Sequence, residues 1–191
     1  MDSKNKKMHQ MFSLKNGTSL IVREANYNDA IFINQMIAQI FSTTDQVLTS
    51  LDEFRNSMTL NEQLTRIKDY LESPCKCLLV AEVGQKLVGT LDFWNGHRKR
   101  IEHTGEFGMG VVSEYRNLGV GKCMIEFLLK WATENPIIEK VKLCVFASNE
   151  NGIHLYKKMG FIEEGRRIAE IKMEDGKYLD VIEMYVSVKN T

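Results

Sequence analysis

The sequence predicts an α+β domain, a mixed and mostly antiparallel sheet with helices on both faces. Three observations carry this reading. Residues 107–146 run strand, glycine turn, amphipathic helix, strand, a unit that demands a right-handed parallel crossover. Two segments, Cys77–Trp94 and Glu164–Tyr185, each read as two strands joined by a glycine-containing turn. Between the first strand and the first of these hairpins, apolar residues recur at helical rather than strand spacing.

In chain order, Ser19–Ala25 reads as a strand, and Ile31, Ile33, Met36, Ile37 and Ile40 mark a helix over Tyr27–Phe41. Residues 42–58 read as polar and irregular. Thr59-x-x-Glu62 can form a capping box for a helix with the seam Leu60, Leu64, Ile67 and Leu71, which Ser73-Pro74 stops. The strands Cys77–Val83 and Leu87–Trp94 flank a Gly-Gln turn, and Glu102–Val112 is the next strand after the basic loop Gly96–Arg100. Gly108 and Gly110 give that strand the character of a bulge. A helix follows with Val120, Met124, Phe127, Leu128 and Trp131 on one face. Val141–Phe146 is a strand, Asn149 can cap a helix with the seam Ile153, Tyr156 and Met159, and Gly160-Phe161 forms its left-handed stop. The predicted order is β-α-α-β-β-β-α-β-α-β-β. Residues 1–18 read as a polar N-terminal extension and 19–188 as a single domain, with no repeat or linker.

Composition narrows the function classes. Lys plus Arg equals Asp plus Glu at 25 each, and there is no polybasic tract, so neither nucleic acid nor anionic membrane is the expected partner. No apolar run reaches the roughly 18 residues of a membrane span, and the polar start carries no signal-peptide segment. The expected location is the cytoplasm. Cys75, Cys77, Cys123 and Cys144 lack the spacing of a zinc site, as do His9, His97, His103 and His154, so no metal is expected.

The loop Arg116-Asn-Leu-Gly-Val-Gly-Lys122 is the strongest functional signal. A helix that begins at its glycines points free N–H groups and the positive end of its macrodipole into the loop, with Arg116 and Lys122 beside it. That is an anion site suited to a pyrophosphate. It is not a P-loop, which needs glycine where Arg116 stands and Ser or Thr where Cys123 stands. Nor is it the dinucleotide fingerprint, whose third glycine is replaced by Met124.

The remaining pattern, Arg-x-x-Gly-x-Gly, resembles the acetyl-CoA loop of the GNAT superfamily of N-acetyltransferases. Two further blocks in register are similar to the same superfamily: Asn149 followed by Leu155-Tyr156-x-x-x-Gly160-Phe161, and Glu164-Gly165 followed by Asp175-Gly176-Lys177-Tyr178-x-Asp180. The last looks like the branch containing ribosomal-protein N-acetyltransferases and spermidine acetyltransferases. The resemblance spans roughly residues 19–188, with its sharp motifs after Glu102.

It implies a sheet in which two parallel strands splay and the pantetheine arm of acetyl-CoA enters the slot. Met109, Gly110 and Val111 would offer main-chain groups to that arm. Arg116, Asn117, Leu118, Gly119, Val120, Gly121 and Lys122 would hold the pyrophosphate, and Asn149, Ile153 and Tyr156 would line the cofactor from the following helix. The implied reaction is direct attack of a primary amine on the thioester in a ternary complex. Tyr156 is the implied general acid for the departing thiolate, the alternative being a core tyrosine with a structural hydrogen bond. Glu106 stands where several relatives carry a glutamate, as a base acting directly or through water, or as a substrate-binding or salt-bridged carboxylate facing Arg98 or Arg100. Relatives with the base one strand later would need it at Cys144. Substrate choice is expected from residues 26–60 and the last hairpin, where Asp45, Asp52, Glu53 and Asp180 favour a small cationic amine of polyamine type. A protein N-terminus is the rival acceptor, a noncatalytic acyl-CoA sensor is the rival class, and both a monomer and a homodimer remain open.

Overall fold

The computed structural model describes residues 8–189. Its elements are β1 (His9–Ser13), β2 (Ser19–Glu24), α1 (Ala30–Phe41), α2 (Leu51–Ser57), α3 (Leu60–Glu72), β3 (Cys77–Val83), β4 (Lys86–Asn95), β5 (Thr104–Val111), α4 (Val120–Glu134), β6 (Lys140–Phe146), α5 (Glu150–Lys158), β7 (Ile162–Lys172) and β8 (Tyr178–Ser187). Eight strands form one sheet in the order β1-β2-β3-β4-β5-β6-β8-β7. Every neighbouring pair is antiparallel except β5–β6. The expected mixed, mostly antiparallel architecture is present.

Two elements go beyond the sequence reading. β1 lies within the stretch assigned to the N-terminal extension and pairs with β2 from His9↔Arg23 to Ser13↔Ser19. As an edge strand it buries one side only, with Met11 67% exposed and Phe12 against the core, so its apolar signal is thin. Residues 1–7 of that extension lie outside the described residues. α2 arises inside the segment read as irregular. Ser50 accepts from the Glu53 N–H while the Glu53 side chain accepts from the Ser50 N–H, a capping box that starts a two-turn helix held by buried Phe54.

The other helices follow their seams with adjustments. α1 buries Ile33, Met36, Ile37 and Ile40 but turns Ile31 outward and buries Ala30 instead. α3 starts at the Thr59–Glu62 capping box, yet its buried face is Gln63 and Ile67, while Leu60 and Leu71 are exposed. α4 buries Val120, Met124, Phe127 and Leu128 as expected, adding Cys123, Ile125 and Ala132, and Trp131 packs edge-on against Phe93 at 5.4 Å. α5 ends as anticipated: Phe161 N–H donates to Tyr156 O, Gly160 N–H donates to Lys157 O, and Gly160 has φ +88°.

β5 separates the two helical layers. The Gly110 position faces Ile40 of α1, while the Met109 side chain reaches Gly121 of α4, so successive residues face opposite layers. The bulge expected at Gly108 and Gly110 is not there: β4 and β5 stay in register from Gly89↔Val111 to Asn95↔Gly105. Gly110 instead clears space, since a Cβ there would lie 3.1 Å from Ile40 Cδ1. The register breaks of the sheet fall at Ala81/Glu82 and twice in β7–β8.

Candidate active site

The parallel pair β5–β6 is a fork. Pairing covers Thr104↔Lys140, Gly105↔Val141 and Glu106↔Lys142, and beyond that β5 runs to Val111 and β6 to Phe146 without partnering each other. The main-chain groups of β5 in this stretch alternate. The Gly110 carbonyl lies 3.2 Å from a Cβ position on Gly89, so it points at β4, and Val112 N–H donates to Val88 O. Met109 and Val111 therefore turn their N–H and C=O away from β4, toward the gap. The Val111 carbonyl is taken by Arg116 Nε at 3.0 Å. Of the three expected main-chain contributors, Met109 and Val111 face the gap. Gly110 does not, because its peptide groups serve the β4 ladder.

The loop Arg116–Lys122 sits just beyond the end of β5. Gly119 is the N-cap of α4 with φ +105° and supplies no side-chain cap. Cys123 N–H donates to Gly119 O at 3.1 Å, which leaves the N–H groups of the preceding first turn available to an anion. No atom lies within 4 Å of a Cβ built on Gly119, whereas one on Gly121 would meet Met109 Cε at 3.1 Å and Leu155 Cδ2 at 3.3 Å. The second glycine thus lets the helix start close to the gap, and the donor set fits a pyrophosphate.

The two cations are deployed differently. Lys122 is on the outer face and pairs with Glu126 at 3.1 Å. Arg116 is a strut, donating from Nη2 to Thr43 Oγ1 at 3.0 Å as well as to Val111 O. Asn117 adopts φ +63°, and its carbonyl accepts from Lys15 Nζ at 2.9 Å, while Leu118 O accepts from Lys15 N–H at 3.0 Å.

On the α5 side, Asn149 Oδ1 accepts from Gly152 N–H at 3.0 Å and caps the helix. Half-buried Ile153 packs against the core margin. Tyr156 meets Phe107 of β5 edge-on at 6.0 Å and Phe161 at 6.1 Å. Burial pushes its hydroxyl up to about 12, and that hydroxyl makes no side-chain hydrogen bond among the described residues.

Glu106 projects from the opposite face. Directly opposed strand residues share a face, so Glu106 stands between Trp94 of β4 and Lys142 of β6, with Cys144 two residues further along. Neither Arg98 nor Arg100 forms an ion pair with it among the described residues. Burial first, and then the Glu106 carboxylate beside it, push the Cys144 thiol up to about 11.

A cavity of ≈ 810 Å³ opens between residues 44–53, Ser148 and the tip of the β7–β8 hairpin. Asp45 and Glu53 line it, joined by Glu174, Asp175, Lys172 and Lys177. Asp52 and Asp180 do not line it.

The sequence model of the acetyltransferase (GNAT) family matches residues 43–161. This chain belongs to that family. It is 27% identical over 169 residues to the L-amino acid N-acetyltransferase of Escherichia coli (strain K12), covering 87% of this chain and 97% of the relative. Over 86 residues it is 30% identical to spermidine N(1)-acetyltransferase of Vibrio cholerae, 45% of this chain and 49% of that protein. An acetyltransferase of the GNAT family from Streptococcus pneumoniae superposes with a TM-score of 0.84 at 27% identity, covering 88% of this chain and 99% of its own. The chain is accordingly an acetyl-CoA-dependent N-acetyltransferase.

In this GNAT enzyme the residues absent from the sequence reading are those that brace the loops. Lys15 holds the αL residue Asn117 through the β1–β2 turn, Thr43 receives Arg116, and Gln46 Oε1 accepts from Ser148 Oγ at 3.2 Å. These contacts join residues far apart in sequence and leave no local pattern. No helix among the described residues is long and apolar enough to cross a membrane.

Proposed function

We propose that this acetyltransferase moves the acetyl group of acetyl-CoA to the primary amine of a small cationic molecule, by direct attack within a ternary complex. One observation carries the reading: Glu106 and the Tyr156–Phe107 contact lie on opposite faces of the fork, at consecutive residues of β5. A thioester threaded into the gap would have a carboxylate on one side and a phenol on the other. The amine, protonated near pH 7 because its pKa is about 10, approaches from the Glu106 side and gives up its proton there, directly or through water. Met109 N–H, turned into the gap, offers a donor where negative charge develops on the carbonyl oxygen. The thiolate leaves toward Tyr156, whose raised pKa keeps the hydroxyl protonated and able to donate. The first turn of α4 and the Arg116–Lys122 loop hold the pyrophosphate that fixes the donor in register.

The cationic acceptor follows from the cavity between residues 44–53 and the tip of the β7–β8 hairpin, where Asp45, Glu53, Glu174 and Asp175 outnumber Lys172 and Lys177. The similarity to a spermidine acetyltransferase supports the same class, and the amino-acid acetyltransferase supplies the natural competitor. The deciding assay follows CoA release with acetyl-CoA and a panel of diamines, polyamines, α-amino acids and a peptide with a free N-terminus, with mass spectrometry on each product. Highest kcat/KM for a diamine or polyamine is the expected result. Turnover confined to amino acids or the peptide would overturn the acceptor assignment, and binding of acetyl-CoA with no turnover of any amine would make the protein a sensor.

A further inference from the structure

β7 is broken where a regular edge strand would have been simpler. Arg167 pairs with Val181 and Ile171 with Leu179, so Ile168, Ala169 and Glu170 stand opposite Asp180 alone. Ala169, a residue with a Cβ, sits at φ +52°, a left-handed conformation that costs such a residue about 1 kcal/mol or more. Asp180 holds the distortion from both sides, its Oδ1 accepting from Ala169 N–H at 2.9 Å and its Oδ2 from Arg166 Nε at 2.9 Å. Asp180 is therefore committed to the backbone and is not a free acceptor-binding charge.

The bulge re-aims Arg167. Its guanidinium crosses β8 to reach β6, donating from Nη2 to Cys144 Sγ at 2.9 Å. Nη1 donates to Glu170 at 2.6 Å, within the bulge itself. Nε lies 3.2 Å from Glu183 Oε1 of β8, close enough to pair but out of line for a hydrogen bond. Glu183 is the register partner of Cys144, so arginine, thiol and carboxylate share one face of the sheet. The same face carries Glu106 on the next strand, whose register partner Lys142 is two residues from Cys144. With Arg167 donating into the sulfur, the thiol hydrogen is left for an acceptor, and Glu106 is the carboxylate whose charge acts on the thiol.

We propose that Cys144 and Arg167 are positioning residues for Glu106: the bulge fixes the arginine, the arginine fixes the thiol, and the thiol holds the carboxylate at the point where β5 and β6 part. The inference rests on the reading of Glu106 as the group that receives the amine proton. Cys144 acts as a protonated hydrogen-bond donor and carries no acetyl group. This explains in physical terms why a strained bulge is maintained in a strand two positions away from the fork.

The test is a double-mutant cycle on steady-state acetyl transfer to the best amine of the panel, with acetyl-CoA affinity by calorimetry as the check on folding. Cys144→Ala should lower kcat roughly tenfold, the size of one hydrogen bond to a charged group, with the acceptor KM and acetyl-CoA affinity within about twofold. Cys144→Ser, which keeps a donor, should restore most of the rate, and Arg167→Gln should resemble Cys144→Ala. In a Glu106→Gln background, Cys144→Ala should add no further loss. Equal losses from Cys144→Ala in both backgrounds, or an unchanged rate in Cys144→Ala alongside a slow Glu106→Gln, would overturn the positioning role while leaving Glu106 in place. A Glu106→Gln enzyme at the parental rate would remove the base assignment and this inference together.

Discussion

Arg116 and Thr43 are joined across 3.0 Å, Nη2 to Oγ1, and this bond ties the Arg116–Lys122 loop to the chain that leaves α1. The same arginine bonds the last carbonyl of β5, and the chain after Thr43 goes on to line the cavity of residues 44–53 and meet Ser148 through Gln46. A residue first read as a phosphate ligand is thereby also a brace for the segment that lines the cavity. Thr43→Val keeps the shape and removes the hydroxyl acceptor. Losing that acceptor, worth about 1 kcal/mol, together with the hydroxyl's own donation to Ile40 O at 2.9 Å, should raise the acceptor KM about fivefold or more while acetyl-CoA affinity moves less than twofold. Initial rates with each substrate varied, together with calorimetry, separate the two effects. Loss confined to acetyl-CoA affinity would place Thr43 on the cofactor side alone.

Tyr156→Phe keeps the ring against Phe107 and Phe161 and removes the hydroxyl. If that hydroxyl protonates the thiolate, kcat should fall by about 10²-fold with acetyl-CoA affinity nearly unchanged. A pH effect on stability accompanies this. Burial raises the folded hydroxyl to about 12 from an ordinary value of 10.0. As pH rises between those values the unfolded chain releases its proton while the folded chain retains it, so Tyr156 costs stability there and not at neutral pH. Thermal melts from pH 9 to 12 should show the parent declining more steeply than Tyr156→Phe. Parallel curves would mean that the hydroxyl is solvated in the folded protein.

The fold was legible where burial is continuous and obscure where it is one-sided. α4, buried through Val120, Met124 and Leu128, announced itself by its seam, and the β7–β8 hairpin by its Asp175-Gly176 turn, where Gly176 has φ +84°. β1 and α2 were missed because a short edge strand and a two-turn helix each bury too few apolar residues to set a period. Helix seams were misread at their ends, as with Leu60 and Leu71, since terminal turns project past the layer they pack on. At the candidate site, spacing revealed the glycine start of α4 and the α5 cap because both are local. The contacts of Lys15 with Asn117, Arg116 with Thr43 and Arg167 with Cys144 join residues far apart in sequence and leave no local pattern.

The phosphate loop predicts a ligand preference. Acetyl-CoA should bind much more tightly than acetyl-pantetheine, which lacks the pyrophosphate. Gly119→Ala meets no neighbouring atom, so its cost is the left-handed backbone alone, about 1–2 kcal/mol. Gly119→Asp adds a negative charge at the helix start and should abolish acetyl-CoA binding in a protein that still folds. Calorimetry with both ligands and both variants checks this. Equal affinity for the two ligands, or undiminished binding by Gly119→Asp, would move the anion site elsewhere.

Gly105 tests the closed end of the fork. A Cβ there would lie 2.6 Å and 2.7 Å from Phe93 Cε2 and Cε1, and Phe93 is fully buried against Trp131. Gly105→Ala should therefore destabilise by roughly 3 kcal/mol through overpacking. Phe93→Leu in the same chain should recover part of the loss by withdrawing the ring edge. Urea unfolding of the two variants measures both numbers, and a single Gly105→Ala variant as stable as the parent would contradict the close approach of β4 and β5 at this point.

Glu106→Gln bears most directly on the chemistry. Glutamine preserves size and most hydrogen bonding but cannot take the proton of the incoming ammonium. If Glu106 is the proton acceptor, kcat at neutral pH should drop and then recover partly as pH approaches the amine's own pKa of about 10, where the acceptor arrives already deprotonated. A carboxylate that merely attracts the cation would behave differently: its loss would raise the acceptor KM and leave kcat near the parental value. The two outcomes separate in a pH–rate profile of parent and variant with one good amine, with kcat and KM resolved at each pH. The profile also has to be read against Cys144, whose thiol burial and the Glu106 carboxylate push up to about 11 in the parent. Glu106→Gln also removes the charge that helps to hold this thiol up, so the same profile run on Cys144→Ala/Glu106→Gln separates titration of the amine from that of the thiol. An unchanged kcat at neutral pH would leave ordered water as the proton acceptor.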